Sequence, residues 1–436
     1  MLSIPCKGPL LLDQALTNTR IFFDLSELYL LSRGRLKFYG IASVVAELAA
    51  AIAQGYPDVV FVIHDQTSRC FLRVTPVFDA QLGLVSLNLP GRAVPYRLQS
   101  VSPYKSFGLR AGARLLNMPL RGLNRVKALF RPCGTSPVDL RNGVFLSAAR
   151  PKLIAEMLPD LPERTRLYTL LHDAVPLHDY GENPSRVKRD FRDDTAKVLH
   201  RSFHIFANSR FTLLDLQRMA QTGLLPPLPQ SSITRLAHEC RDATHACTIA
   251  LPERPYVLGV GLTLGRKNLE LVLNAQKLMV DAGQVPPVLI VAGAVRKSML
   301  KGLSAGNYPT AAEHMVLIDS PSQSDLVHLY RNARATVVPS RLEGWGLPVG
   351  ESLWHGTPVI TTRLSSLPEV GGDLAVYVDP DDPKNLARVL ATFSDETVYG
   401  EWKERIADGQ KSLRRWATVA DEMLTTVCQH QRLRIR

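Results

Sequence analysis

Short apolar runs rich in β-branched residues recur along this chain, separated by amphipathic stretches of helical period and punctuated by glycine and proline. In the second half the alternation is regular. Tyr256–Val260 reads as a strand, Leu269–Asp281 as a helix that Asn268 can cap and Gly283 ends, and residues 288–292 as the next strand. Residues 316–318 give a further short strand, and 325–332 a helix with Leu326 and Leu329 on one face. Ala335–Val338 is then a buried strand, Pro348 suits the start of a helix that Gly356 ends, and 359–361 is the strand after it. Strands alternating with helices in this way predict a parallel, doubly wound sheet covered on both faces.

The first half is less regular. Residues 21–23 and 59–63 read as strands flanking a helix over 40–53, and 167–171 as a buried strand. At the other end, Leu413, Trp416, Ala420, Met423 and Val427 share one face of a terminal helix. A chain of 436 residues with 45% hydrophobic content is long enough for two or three full cores. The longest mostly apolar stretch, 41–52, is broken by Glu47 and is too short to span a bilayer. The opening MLSIPCKGPLLLDQ lacks a basic head, an apolar core and a cleavage site, so a cytoplasmic protein is expected. Six scattered cysteines then read as reduced thiols. His238, Cys240, His245 and Cys247 cluster in HECRDATHAC, but their spacing matches no usual zinc pattern. The stretch reads as a polar connection, and no metal is expected.

Candidate chemistry concentrates in residues 334–362, RATVVPSRLEGWGLPVGESLWHGTPVITT. Ligands of doubly wound sheets sit beyond the carboxyl ends of strands, which is where 341–348 must lie. Gly344 and Gly346 let the backbone approach a ligand, and the helix starting near Pro348 turns unpaired N–H groups and partial positive charge toward the same space. An anion is expected there. Glu343 belongs to the loop and Glu351 to the first helical turn. Glu351 either complements the helix dipole, for roughly 0.3–1 kcal/mol, or serves the ligand. Arg266 and Lys267, in VGLTLGRKNLELV, fall in the loop after Tyr256–Val260, at the same mouth. The dipole disfavours cations at a helix start, which argues for an anionic partner over a solvated pair; each charge-assisted contact is worth roughly 1.5–3 kcal/mol. His172 and Asp173 follow 167–171 at its carboxyl end, where a histidine is either structural or catalytic. Asp381 and Asp382, flanked by prolines, read as a turn.

EGWGLPVGE resembles the paired-glutamate signature of retaining glycosyltransferases of family four, which have the two-domain GT-B fold. The resemblance implies an α/β chain of two Rossmann-like doubly wound domains facing a cleft. These would be 1–235 and 255–411, joined by a linker at 236–254, with 412–436 a helix crossing back to the first domain and a basic tail. It implies that Glu343 and the amides of Gly344, Trp345, Gly346 and Leu347 hold donor-sugar hydroxyls and the diphosphate, while Glu351 grips the ribose. The Trp345 side chain either packs or meets the sugar. The family has a similar RKN segment; this chain departs at Leu264, where many members carry an acidic residue. LHDAVP is similar to the family's HD-x-x-P segment, whose histidine contacts the donor sugar. ANSRFTLLDL, 207–216, resembles the last strand and helix of its first domain, with Ser209 and Arg210 near the cleft. Gly40 matches a glycine loop that lines the cleft, a plain helix entry being the alternative.

The implied activity is retaining transfer of a hexose, mannose from GDP-mannose, onto a saccharide acceptor in surface polysaccharide biosynthesis. Glu343, His172 and Asp173 would form the catalytic group, with neither a metal nor another cofactor. The sequence identifies no nucleophile. A non-transferring relative, either a sugar-nucleotide epimerase or a binding module, is the alternative. The net charge of +12 also asks for a partner, but the chain shows no recognised nucleic-acid module and none is expected. Residues 108–132 interleave Arg110, Arg114, Arg121, Arg125, Lys127 and Arg131 with leucines, as a membrane-surface segment or a core-facing basic helix would. If the segment meets an anionic membrane, the acceptor is a lipid-linked saccharide on the cytosolic leaflet.

Overall fold

The computed structural model describes residues 20–29, 40–66, 68–79, 83–88, 107–129, 136–180, 185–242, 247, 249–294, 297–306, 308 and 311–432. The opening segment 1–14, His245, Arg131 and the tail beyond 432 lie outside them. Two sheets organise the chain. The first contains β1 (Ile21–Asp24), β2 (Val60–Asp65), β3 (Cys70–Arg73), β6 (Pro137–Val138), β7 (Val144–Ser147), β8 (Arg166–Leu171), β9 (Ser202–Ala207) and β10 (Gln230–Ile233). Their order is β10-β9-β8-β7-β1-β2-β3-β6. All neighbours pair in parallel except β3, which runs antiparallel to both β2 and β6. A separate hairpin joins β4 (Val77–Asp79) and β5 (Gly83–Ser86).

The second sheet is parallel throughout, β13-β12-β11-β14-β15-β16. Its strands are β11 (Tyr256–Val260), β12 (Val288–Gly293), β13 (Met315–Asp319), β14 (Ala335–Val338), β15 (Val359–Thr362) and β16 (Ala375–Val378). Counted from its first strand this is the order 3-2-1-4-5-6, whose switch point falls between β11 and β14. The apolar runs were legible as strands because both faces are covered: β14 and β15 are buried along their whole lengths.

The helix Ile41–Gly55 starts after Gly40, whose φ of 58° and ψ of −124° suit glycine. Asn268 corrects the capping expectation. It precedes the helix Leu269–Asp281 in a left-handed conformation and makes no side-chain cap. Instead its Nδ2 donates to the carbonyls of Pro339 and Pro380, at 3.3 and 2.9 Å, tying the loop after β11 to those after β14 and β16. The terminal helix Trp416–Arg432 crosses back to the first sheet's side, with Trp416, Ala420, Met423 and Val427 buried in the core that also contains the helix Ile41–Gly55. Tyr56 fixes it by donating to Asp421 at 2.6 Å. No helix of the described residues is long and apolar enough to cross a membrane.

Candidate functional site

At the switch point of the second sheet, two loops face one another. The loop after β11 carries Arg266 and Lys267, and the loop after β14 carries Glu343 to Gly346. Glu343 is their hub. Its Oε1 lies 3.0 Å from Lys267 Nζ and accepts from Ser340 Oγ at 2.8 Å, while Oε2 lies 3.3 Å from an Arg266 Nη1 that also donates to the Leu342 carbonyl. Burial pushes the Glu343 carboxyl up, but the Lys267 and Arg266 charges, with hydrogen bonds from Lys267 and Ser340, hold it below its ordinary value. The two cations are thus aimed and partly neutralised by the glutamate before any ligand arrives.

Glu351 lies deeper in the helix Leu347–Trp354 than the sequence suggested. It follows the first turn, which contains no acidic residue, and so gains little from the helix dipole. Its Oε2 accepts from the Tyr330 hydroxyl at 2.6 Å. Burial pushes this carboxyl up, opposed by the Tyr330 bond and the nearby Lys267 charge. Lys267 therefore acts electrostatically on both glutamates.

The first domain closes directly on this loop. A Cβ on Gly344 would lie 2.0 Å from the His172 carbonyl oxygen and 2.8 Å from Asp173 Cβ, so only glycine allows the approach. Ser209, which caps the helix Arg210–Gln221, donates its hydroxyl to the Gly344 carbonyl at 2.7 Å, and Thr212 adds a bond at 3.2 Å. Glu369 reaches back to accept from the amides of Arg210 and Phe211, both at 2.9 Å. Across this contact Asp173 feels Arg266 and Glu343; burial raises its carboxyl, opposed by the adjoining His172 ring, the Val175 amide and the Arg266 charge. His172, Asp173, Glu343, Arg266 and Lys267 are therefore gathered from two domains.

His172 is buried, and its Nε2 donates to the Ala148 carbonyl at 2.7 Å. Burial lowers its pKa, so the ring is neutral at neutral pH and its Nδ1 is an acceptor. It can orient a hydroxyl but is no acid. The Trp345 side chain packs in the core, edge-on to His238, which corrects the sugar-contact alternative for that side chain. Gly346, at φ 101°, turns the chain into the helix that Leu347 opens. Gly40 is exposed, and among the described residues nothing lies within 4 Å of where a Cβ would stand. Asp381 pairs with Arg341 at 2.6 Å, and Asp382 caps the helix Pro383–Thr392.

His238 is fixed by the Val370 carbonyl at 3.0 Å and by the Arg414 amide at 3.1 Å, while Cys240 meets Gln323 and Cys247 meets Asp325. Among the described residues no three His, Cys, Asp or Glu side chains are grouped to hold a metal ion. Sequence reasoning missed Tyr330, Ser340 and the Ser365–Ser366 pair, whose hydroxyls bind the Glu343 amide and the Glu343 and Trp345 carbonyls. The serine pair was open to discovery, because it follows β15 at the same carboxyl edge.

Residues 246–410 match the family model described as Glycosyl transferases group 1. They form a group 1 glycosyltransferase domain. The group 1 domain holds both glutamates and both cations of the site. In sequence, the chain is 28% identical over 174 residues to the serotype-specific mannosyltransferase WbdA of Escherichia coli, covering 39% of this chain and 21% of that one. It is 30% identical over 157 residues to the O-antigen chain mannosyltransferase B of Escherichia coli, covering 34% and 38%. The matched stretch thus spans well under half the length of these relatives. In structure, the chain is similar to sucrose-phosphate synthase from Thermosynechococcus elongatus, with TM-score 0.57 at 16% identity over 94% of this chain and 98% of that one. HepE of Anabaena, solved with UDP and glucose, gives TM-score 0.53 at 11% identity over 94% and 100%. The fold is GT-B, with the group 1 domain as its second half.

Proposed function

We propose that the protein transfers a hexose, mannose from GDP-mannose, onto a saccharide acceptor with retention of anomeric configuration, in surface polysaccharide biosynthesis. The observation that carries this reading is the meeting of Glu343, Arg266 and Lys267 at the switch point of a group 1 domain, closed by His172 and Asp173 of the facing domain. A nucleotide sugar leaves as a diphosphate while its anomeric carbon gains positive character. Arg266, Lys267 and the start of the helix Leu347–Trp354 supply preorganised countercharge to the leaving group. Glu343 holds those cations in place and offers acceptor oxygens to sugar hydroxyls, and Glu351, held by Tyr330, offers its carboxylate to the ribose. The reading calls for no divalent metal.

Mannose is favoured over other hexoses by the mannosyltransferases among the relatives. The acceptor is proposed to be lipid-linked on the cytosolic leaflet, a reading supported by the six basic residues interleaved with leucines over 108–132. Incubation with a panel of nucleotide sugars, read as a shift in melting temperature, tests the donor. At about 100 times Kd a ligand adds roughly 2.7 kcal/mol to stability. GDP-mannose is expected to give the largest shift; a panel without any shift overturns the donor site, and a larger shift with another sugar reassigns the donor.

A further inference from the structure

Residues 107–129 form one helix, Phe107–Leu129, built inside out for a soluble protein. Asn117 and Asn124, seven positions apart, are buried at 8% and 1% exposure. Leu115, Leu116, Met118, Leu123 and Val126 are instead exposed at 68%, 63%, 68%, 51% and 54%. Helical spacing at about 100° per residue gathers those five on one face, together with Gly108, Ala111, Gly112, Pro119 and Gly122. The asparagines fall on the opposite side.

The same spacing sets positions 114 and 125 along one edge of the apolar face and position 127 along the other, with positions 110 and 121 further round towards Asn117; all five are Arg or Lys. Residues 107–132 contain six basic residues and no acidic one. A face covered by a second protein would require the basic edges to be matched by carboxylates. A lipid surface offers both halves of what this helix presents, anionic headgroups for the edges and acyl chains for the leucines.

We infer that the helix Phe107–Leu129 lies in the plane of an anionic membrane, with Leu115, Leu116, Met118, Leu123 and Val126 inserted below the headgroups. This deepens, and rests on, the membrane-proximal acceptor proposed above. It replaces a purely electrostatic attraction by insertion, in which the buried asparagines fix which side of the helix faces lipid. Insertion is not screened by salt, whereas attraction between exposed charges is.

The test uses the full chain and vesicles of phosphatidylcholine with or without phosphatidylglycerol, by co-sedimentation at low and high salt. The native protein is expected to bind the anionic vesicles at low salt and to remain partly bound at high salt. A Leu115→Ser, Leu116→Ser, Leu123→Ser variant is expected to bind at least about tenfold more weakly at both salts. Its melting temperature and nucleotide affinity should be unchanged, since these side chains are exposed. Leu116→Trp should show blue-shifted fluorescence on vesicles and quenching by brominated acyl chains. If the native protein binds, salt releases it completely and the triple variant binds equally well, insertion is overturned while the membrane-proximal acceptor stands. If the native protein binds no vesicle, both are overturned. A native dimer that the triple variant converts to a monomer, with no vesicle binding, would assign the face to a second copy and overturn the inference.

Discussion

The Tyr330 hydroxyl donates to Glu351 Oε2 at 2.6 Å, from a side chain with 0% exposure. One carboxylate oxygen is thereby fixed, and under the proposed function the other meets the ribose. Removing the donor in Tyr330→Phe leaves the ring packing intact but lets the carboxylate rotate. Hydrogen bonds to charged groups contribute about 1.5–3 kcal/mol, so nucleotide affinity is expected to fall by about tenfold. Loss of the donor also raises the Glu351 carboxyl further, so the acid limb of nucleotide binding should move to higher pH. Calorimetric titration of GDP across pH measures both, and an unchanged affinity would detach Tyr330 from the site.

Gly344→Ala places a methyl group where the His172 carbonyl stands, 2.0 Å away. The clash lies in the contact between domains, so each domain should fold while the cleft is held open. Transfer is expected to fall at least about a hundredfold, as small misplacements of reacting groups do, with a melting temperature close to that of the native protein. Steady-state kinetics beside a thermal melt separate the two effects.

Glu343→Gln keeps the size of the side chain and removes the charge that neutralises Arg266 and Lys267. Turnover is expected to fall at least about a hundredfold, because the preorganised electrostatics of the site are lost. The freed cations should bind a diphosphate more tightly, so GDP affinity is expected to rise while kcat falls. A parallel loss of both would instead indicate a misfolded loop.

The His204 ring lies beside His430 of the terminal helix, with centroids 4.9 Å apart and planes tilted by 53°, and bonds Ser232 at 2.9 Å. Burial, with the neighbouring His430, lowers its pKa from 6.5 to about 4. The unfolded chain therefore takes up this proton first as pH falls. The stability contributed by the neutral ring is fully present above pH 6.5 and is lost progressively as pH falls to about 4. The loss is on the order of 2–3 kcal/mol. Urea melts between neutral and acid pH should show this fall in the native protein and a flatter profile in His204→Phe.

Much of this was legible in the chain itself. Strands such as Ala335–Val338 announced themselves because a parallel strand buried on both faces is an unbroken apolar run bounded by turn residues. The convergence of Arg266, Lys267 and Glu343 followed from their places after two strands of one doubly wound sheet. What stayed hidden depends on side-chain direction and on contacts distant in sequence. Nothing near Tyr330 in the sequence points to Glu351, and the pairing of Glu343 with the very cations expected to meet phosphate needed coordinates. The position of Glu351 beyond the first helical turn shifted by less than one turn, within the usual uncertainty of helix boundaries. The exposure of Leu115 and burial of Asn124 reverse the ordinary rule for helices and were beyond any pattern that assumes an apolar face turns inward.

The central proposal is hexosyl transfer at the crevice between β11 and β14, and the most direct measurement follows the anomeric proton of the transferred sugar by NMR. GDP-mannose, in which the mannose is α-linked, is incubated with a lipid-linked saccharide acceptor and the native protein or Glu343→Gln. The expected result is a new α-mannosyl linkage and released GDP with the native protein, and neither with the variant. A β-linked product, an epimerised donor, or equal turnover by Glu343→Gln would contradict it.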